Sequence, residues 1–240
     1  MNFEHLRQGL ADDGFSIIES KYNQSLQPLI ANLREEIESL SSIHKDVEDY
    51  PGGHLKIVRS DEIQLPAFRD TYNSYHQYCS KIIDSMGLGN YALDAMFRTV
   101  DTKASRHIAQ SPHFDRIPTL KFMLYLNDVE VSNGAFQLSR GSHRWVKETF
   151  PRSRPAHSDP TYLEKSRCIS PEYLNRLEPI EGKSGTIIVF DTDCVHHQGI
   201  VFNGACQILR SHYRRPSQQG RLFTLIKRFR QTGLSKLGQN

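Results

Sequence analysis

The sequence predicts a β core with helices packed outside it. Helix-spaced apolar residues sit in the first third, and short apolar runs bounded by Gly, Pro and Asn fill the rest. No apolar stretch reaches the 18 residues that a membrane span needs, so a water-soluble domain is expected.

Leu26, Leu29, Ile30, Leu33, Ile37 and Leu40 recur at helical spacing with acids and Arg34 between them, which reads as an amphipathic helix. A second helix is expected from Pro66 to Met86, closed by Gly87-Leu88-Gly89. Strands of a sandwich or barrel are expected at Tyr91–Val100, Leu120–Leu126 and Gly134–Leu138, and a buried one over Gly185–Phe190. Asn133-Gly134 reads as a hairpin turn, because both residues tolerate positive φ. The stretch 145–183 carries prolines at 151, 155, 160, 171 and 179 and many charges. It reads as an insert, either a lid over a barrel mouth or surface decoration.

At 240 residues the chain is long enough for one domain with a substantial core, and ten tyrosines and twelve phenylalanines supply the packing groups. The N-terminal segment MNFEHLRQGLADDGF has acids and no apolar core, unlike a secretory signal. Cys79, Cys168, Cys194 and Cys206 lack paired or CxxC spacing and read as free thiols of a reducing cytosol.

Charge is uneven. No acid follows Asp193, so residues 194–240 are +8 and the first 193 are −5. The basic part would suit an anionic substrate or surface, or simply a solvated face that compensates the acidic part. Within it, a helix is expected at about 220–231, with apolar residues at 222, 226 and 229 among cations. That pattern fits a helix docked on the domain better than one lying on a membrane surface. No nucleic-acid contact is expected.

The chemistry-bearing pattern is His113-Phe114-Asp115. In extended backbone, residues i and i+2 share a face, so His113 and Asp115 can reach one ion while Phe114 points away. The third direction must come from elsewhere, and His196 stands just beyond the apolar run Gly185–Phe190. Two imidazoles and one carboxylate hold half of an octahedral ferrous ion and leave three positions open. Taken singly, each has a plainer reading: Asp115 as a turn cap, and His196 as a hydrogen-bonded residue at a strand end. His143 reads as structural, His197 would point the other way in an extended segment, and His107 and His212 stay unassigned as core or surface imidazoles.

Around these residues, HFDRIPTLKFMLYLNDVEVSNGAFQLSRGSHR (113–144) and GTIIVFDTDCVHHQGIVFNGACQILRSHYRR (185–215) carry a specific framework. It resembles the phytanoyl-CoA dioxygenase family of Fe(II)/2-oxoglutarate-dependent oxygenases: an HxD, a strand ending in Asn-Asp, an Asn-Gly turn, a Gly-Ser-His, then a Gly-led strand and a His-x-x-Gly. The resemblance implies a double-stranded β-helix, the jelly-roll, cupin-like barrel, spanning 1–240 as a single domain with the metal at its mouth.

It implies His113, Asp115 and His196 as Fe(II) ligands, with 2-oxoglutarate and O2 at the open positions. The implied reaction decarboxylates 2-oxoglutarate to succinate and CO2 and hydroxylates a small or carrier-linked substrate. Relatives that halogenate have a small residue in place of Asp115. Arg210, fourteen residues beyond His196, is the counterpart of the Arg that grips the distal carboxylate, although in many relatives that position falls near Cys206 or Gln207. Tyr125 occupies about the place of an aromatic lining the 2-oxoglutarate pocket, and Lys56 resembles an upstream Lys contact. Two other classes stay open: a cupin-like metal protein that does not use 2-oxoglutarate, and a membrane or anion-surface module acting through the basic C-terminus.

Overall fold

The computed structural model describes residues 1–40, 53–63, 65, 69–106, 108–150 and 169–215. Helix α1 (Phe3–Asp12) starts where the Asn2 side chain accepts from the His5 amide at 3.1 Å, satisfying one of the free amides of the first turn. It buries Leu6 and Leu10, and Gly14, at φ +83°, turns the chain into strand β1 (Phe15–Ile18). Helix α2 (Gln27–Leu40) follows, with Leu29, Ile30 and Leu33 buried on one face. Strand β2 (His54–Arg59) precedes helix α3 (Ser74–Ser85), which is entered through a π turn at Arg69–Asn73.

The remaining elements build the barrel: β3 (Ala92–Thr102), β4 (Leu120–Tyr125), β5 (Phe136–Ser139), α4 (Ser142–Thr149), α5 (Pro171–Leu174), β6 (Leu177–Ile180), β7 (Ile187–Asp191), β8 (His196–His197) and β9 (Ala205–Arg214). One sheet runs β1-β7-β4-β9-β3-β2 and the other β6-β5-β8, every pairing antiparallel. Their inner faces pack through residues such as Met123, Phe136, Leu138, Ile188, Phe190 and Ile208. Helices α1, α2 and α3 cover the outer face of the larger sheet, where Leu33, Tyr75 and Ile82 meet Phe122, Val189 and Leu209. This is the double-stranded β-helix with external helices that the sequence predicts. No helix among the described residues is long and apolar enough to cross a membrane.

Strand β4 shows why the core is placed as it is. All six residues of LKFMLY are buried, because the strand is covered on both faces. Leu120, Phe122 and Leu124 point to the helices, while Met123 and Tyr125 point between the sheets. Each large apolar side chain so buried contributes roughly 1.5–3 kcal/mol. Lys121 shares the inner face by alternation.

Some expectations shift. Asn133-Gly134 is a turn, yet it does not close a hairpin: it joins β4 of one sheet to β5 of the other, and of the two only Gly134 takes positive φ, at +94°. The stretch read as an insert ends in β6, which pairs with β5 as a barrel strand. Its periodicity is hidden because Glu178 and Pro179 are both exposed on an edge strand, the one place where Pro leaves no ladder bond unmade. Residues 151–168 of that stretch and the expected helix at about 220–231 lie outside the described residues.

Two loops meet backbone to backbone beneath the barrel mouth. A Cβ on Gly199 would lie 2.3 Å from the Ala135 carbonyl oxygen, and one on Gly134 would lie 2.8 Å from Val201 Cγ2. The His-x-x-Gly spacing thus reflects a close crossing three residues after His196. Gly199→Ala is expected to destabilise the fold by about 2 kcal/mol or more, read as a lowered denaturation midpoint. An unchanged midpoint would mean that the crossing is not close.

Candidate active site

His113 and His196 come from separate segments and are locked to each other by backbone. The His113 amide donates to the His196 carbonyl at 2.9 Å, and the His196 amide returns a bond of 2.7 Å. The Asp115 amide donates to the Thr192 carbonyl at 2.9 Å, which seats the second half of the HxD against the same loop. Phe114 turns away into a separate apolar cluster with Val146, Ile169 and Val195, as the i, i+2 alternation requires.

The tautomers are set by a matching device on each histidine. His113 Nδ1 donates to the Ser111 carbonyl and His196 Nδ1 to the Cys194 carbonyl, both at 2.7 Å. A carbonyl only accepts, so each Nδ1 carries the hydrogen and each Nε2 keeps its lone pair. Those Nε2 atoms lie 4.0 Å and 3.7 Å from Asp115 Oδ1. One ligand atom from each of the three residues falls within 4.8 Å of the others, a spacing that can hold one metal ion.

A small cavity, open at its mouth, adjoins this group. His113 and His196 line it together with Lys121, Met123, Phe136, Phe190, Gln198 and Arg210. Phe136 and Phe190 stand 5.6 Å and 5.2 Å from the His196 ring and wall it off from water. Arg210 reaches the cavity from β9, with its guanidinium carbon 5.8 Å from the Phe97 ring centroid and a buried Nε that has no hydrogen-bond partner. Such an orphaned donor fits an anionic guest.

Lys121 was not anticipated, although a charge inside the apolar run 120–126 was its visible signal. Its Nζ sits 2.7 Å from Asp115 Oδ2. Burial alone would raise the Asp115 pKa, but Lys121 and the two imidazoles outweigh it and hold the carboxyl well below the usual range. Burial lowers the Lys121 pKa, with Asp115 opposing and Arg210 adding to the effect. Gln198 was also missed; its Nε2 donates to the Gly134 carbonyl at 2.7 Å, tying the mouth to the glycine crossing.

The other sequence candidates are placed as follows. The Tyr125 hydroxyl donates to the Ile180 carbonyl at 2.7 Å and accepts from the Phe136 amide at 3.3 Å, so it is committed to joining the two sheets. Lys56 lies in β2 opposite Arg98, and its side chain is outside the described residues. His143 Nε2 lies 3.2 Å from the Ala11 carbonyl, a structural contact at the start of α4. Ser142, in the same Gly-Ser-His, accepts from the Val195 amide at 2.8 Å and so braces the residue before His196. His212 is half-buried, its ring 4.4 Å from that of Phe97. His107, Cys168 and the 216–240 segment are outside the described residues.

Fold and site together define a class: a double-stranded β-helix protein with a two-histidine, one-carboxylate metal pocket. The family model for phytanoyl-CoA dioxygenase (PhyH) matches residues 91–199, from the start of the barrel to the glycine after the second histidine. The matched span contains His113, Asp115 and His196, the residues on which the resemblance rests. Among solved structures it is similar to AviO1 from Streptomyces viridochromogenes Tue57, with 16% identity over 90% of this chain and 96% of that one and a TM-score of 0.61. It is also similar to the epimerase SnoN in complex with Fe3+, alpha ketoglutarate and nogalamycin RO (15% identity, 89% and 83% covered, TM-score 0.63). A third is HygX from Streptomyces hygroscopicus with nickel, 2-oxoglutarate and hygromycin B bound (15% identity, 88% and 87% covered, TM-score 0.57). At such identities these structures establish the fold. No curated protein matches the chain by sequence.

The buried imidazoles carry a pH signature. Burial, reinforced by His113 and only partly offset by Asp115, holds His196 well below its ordinary pKa of 6.5. Burial, with Lys121 and Arg210 nearby, does the same to His212. Below pH 6.5 the unfolded chain takes up protons that the folded one refuses, so stability falls as pH drops. The metal-free protein is expected to lose up to about 3 kcal/mol between pH 7.5 and 5.5, counting about 1.4 kcal/mol for each histidine per pH unit below 6.5. Equal urea midpoints at the two pH values would refute the neutral burial of both rings.

Proposed function

We propose that the protein is a non-haem Fe(II)- and 2-oxoglutarate-dependent oxygenase that hydroxylates a small or carrier-linked organic substrate. The observation that carries this reading is that the two histidines of the three-ligand group share one cavity with Arg210 and its unpartnered buried Nε. A metal alone needs the first feature. The second fits a co-substrate with a distal carboxylate.

His113, His196 and Asp115 would hold the iron. When bound, iron with 2-oxoglutarate and O2 supplies the oxidation of a C–H bond, releasing succinate and CO2. The chain's part is orientation and exclusion of water. Arg210 fixes the far end of the keto acid through charge-assisted hydrogen bonds. Met123 forms the wall beneath it, and Tyr125, two residues on along the same face of β4, backs that wall. Phe136 and Phe190 keep the histidine side dry. The substrate approaches from the open mouth. The buried thiols Cys79, Cys194 and Cys206 suit a reducing compartment such as the cytosol.

Hydroxylation is one outcome of C–H oxidation; the structurally similar epimerase SnoN and carbocyclase SnoK mark others. Succinate release coupled to O2 uptake by the iron-loaded protein tests the co-substrate, and incorporation of labelled oxygen into product tests hydroxylation. His113→Ala and His196→Ala should each reduce turnover at least about a thousandfold with the fold intact; full turnover by either refutes the ligand assignment. Arg210→Ala should weaken 2-oxoglutarate about 10- to 100-fold, the loss of charge-assisted hydrogen bonds. Metal binding without succinate release would leave a cupin-like metal protein instead.

A further inference from the structure

We propose that Lys121 is a positioning residue that confines Asp115 to a one-oxygen bite on the metal and cancels its charge, so that the site retains its open positions and its attraction for a dianionic keto acid. This rests on the oxygenase reading above and deepens it.

The carboxylate of Asp115 is divided between two sides. Its Oδ1 faces both Nε2 atoms, at 3.7 Å and 4.0 Å, while its Oδ2 is held by Lys121 Nζ at 2.7 Å. An oxygen engaged at that distance by an ammonium is not offered to the metal, so only Oδ1 is. A second bound oxygen would take one of the three positions that a chelating keto acid and O2 require.

Lys121 is an expensive choice for this place. It is 6% exposed, on the inner face of a strand otherwise wholly apolar. Its Nζ lies 5.9 Å from the Phe190 ring centroid, and desolvating an ammonium there costs several kcal/mol unless it is paired. Opposite Lys121 in the sheet stand Phe190 and His212, neither of which offers an anion. Asp115 is the ion-pair partner that justifies the position.

Charge gives the second consequence. A dication beside one carboxylate has a local charge of +1. With Lys121 included, the protein ligands and their clamp are neutral and the site keeps +2, beside the +1 of Arg210. The added positive charge strengthens the attraction of the site for a keto acid with two carboxylates. Lysine therefore disfavours the metal slightly and favours the anion, an opposition that a merely structural residue does not produce.

The test uses the full-length protein loaded anaerobically with Co(II), whose visible bands report coordination number without turnover. Lys121→Met is expected to bind Co(II) at least as tightly as the unsubstituted protein and 2-oxoglutarate about tenfold or more weakly. Its Co(II) bands before addition of 2-oxoglutarate should also differ, as the second Asp115 oxygen closes on the metal. Lys121→Arg, which keeps charge and donor, should recover most of the 2-oxoglutarate affinity. An unchanged 2-oxoglutarate affinity in Lys121→Met overturns the proposal, and so does an equal loss of metal and keto-acid binding, which marks a structural residue. Failure of the unsubstituted Co(II) protein to bind 2-oxoglutarate overturns the oxygenase reading itself. Should Lys121→Met not fold, crystals of the unsubstituted Co(II) protein decide: one Asp115 oxygen on the metal and Nζ on the other supports the proposal, and two oxygens on the metal overturn it.

Discussion

The structure depends on the two-way backbone pair between His113 and His196. Without it the HxD segment and the strand-exit histidine are two loops at the rim of a barrel. With it, two imidazoles from distant parts of the chain share one register, and their ring centroids sit 4.4 Å apart. Much of the nearby sequence serves that pair. Ser142 braces Val195 from one side. Gly199 lets the chain leave β8 across Ala135 with no side chain between them, and Gln198 ties the same crossing from inside the barrel. Motifs that look like separate signatures in the sequence, the Gly-Ser-His and the His-x-x-Gly, are supports for a single contact. Their hydrogen bonds are individually worth about 1 kcal/mol, yet together they hold a ligand geometry that tolerates little error.

How much of this was legible follows from where each signal sits. Strands buried on both faces, such as Leu120–Tyr125 and Ile187–Asp191, announce themselves as apolar runs, and α2 by its spacing. Strand β6 was not legible, because an edge strand with Glu178 and Pro179 facing water has no periodicity to read. The Asn-Gly turn was legible as a turn but not as a link between sheets, since local φ preference carries no information about which strand pairs with which. The three metal-facing residues were singled out by ligand chemistry joined to the family resemblance, and Arg210 by the resemblance alone. Lys121 and Gln198 were not, for the same physical reason: their roles exist only across the barrel, toward Asp115 and Gly134.

The charge distribution looks different from inside the barrel. In the sequence the cations after Asp193 read as a solvated face or an anion-binding tail. In the fold, Arg210, His212 and Arg214 alternate along β9 on the face that carries Cys206 and Ile208 inward. Arg214 Nη2 pairs with Asp94 Oδ2 at 2.9 Å, whereas its Nε and Nη1, like Arg210 Nε and His212 Nε2, have no hydrogen-bond partner. A barrel interior lined with under-satisfied donors is unfavourable in isolation, since each buried orphan costs on the order of 1–3 kcal/mol. Two residues share the task of making it tolerable. Asp94 compensates Arg214 at one end, and Asp115 offsets the charge of Lys121 at the other.

That arrangement also bears on why Asp115 is a carboxylate and not a neutral ligand. Removal of its charge would leave Lys121 buried beside Arg210 and His212 with no counter-charge among the residues opposite it in the sheet. A small residue at position 115 could still leave two imidazoles for a metal, but it would strand an ammonium in the core, at a cost of several kcal/mol. The aspartate is therefore fixed twice, once by the geometry of a facial ligand set and once by the electrostatics of β4. If the carboxylate were exchanged, the anion that took its place would have to serve as the counter-charge for Lys121.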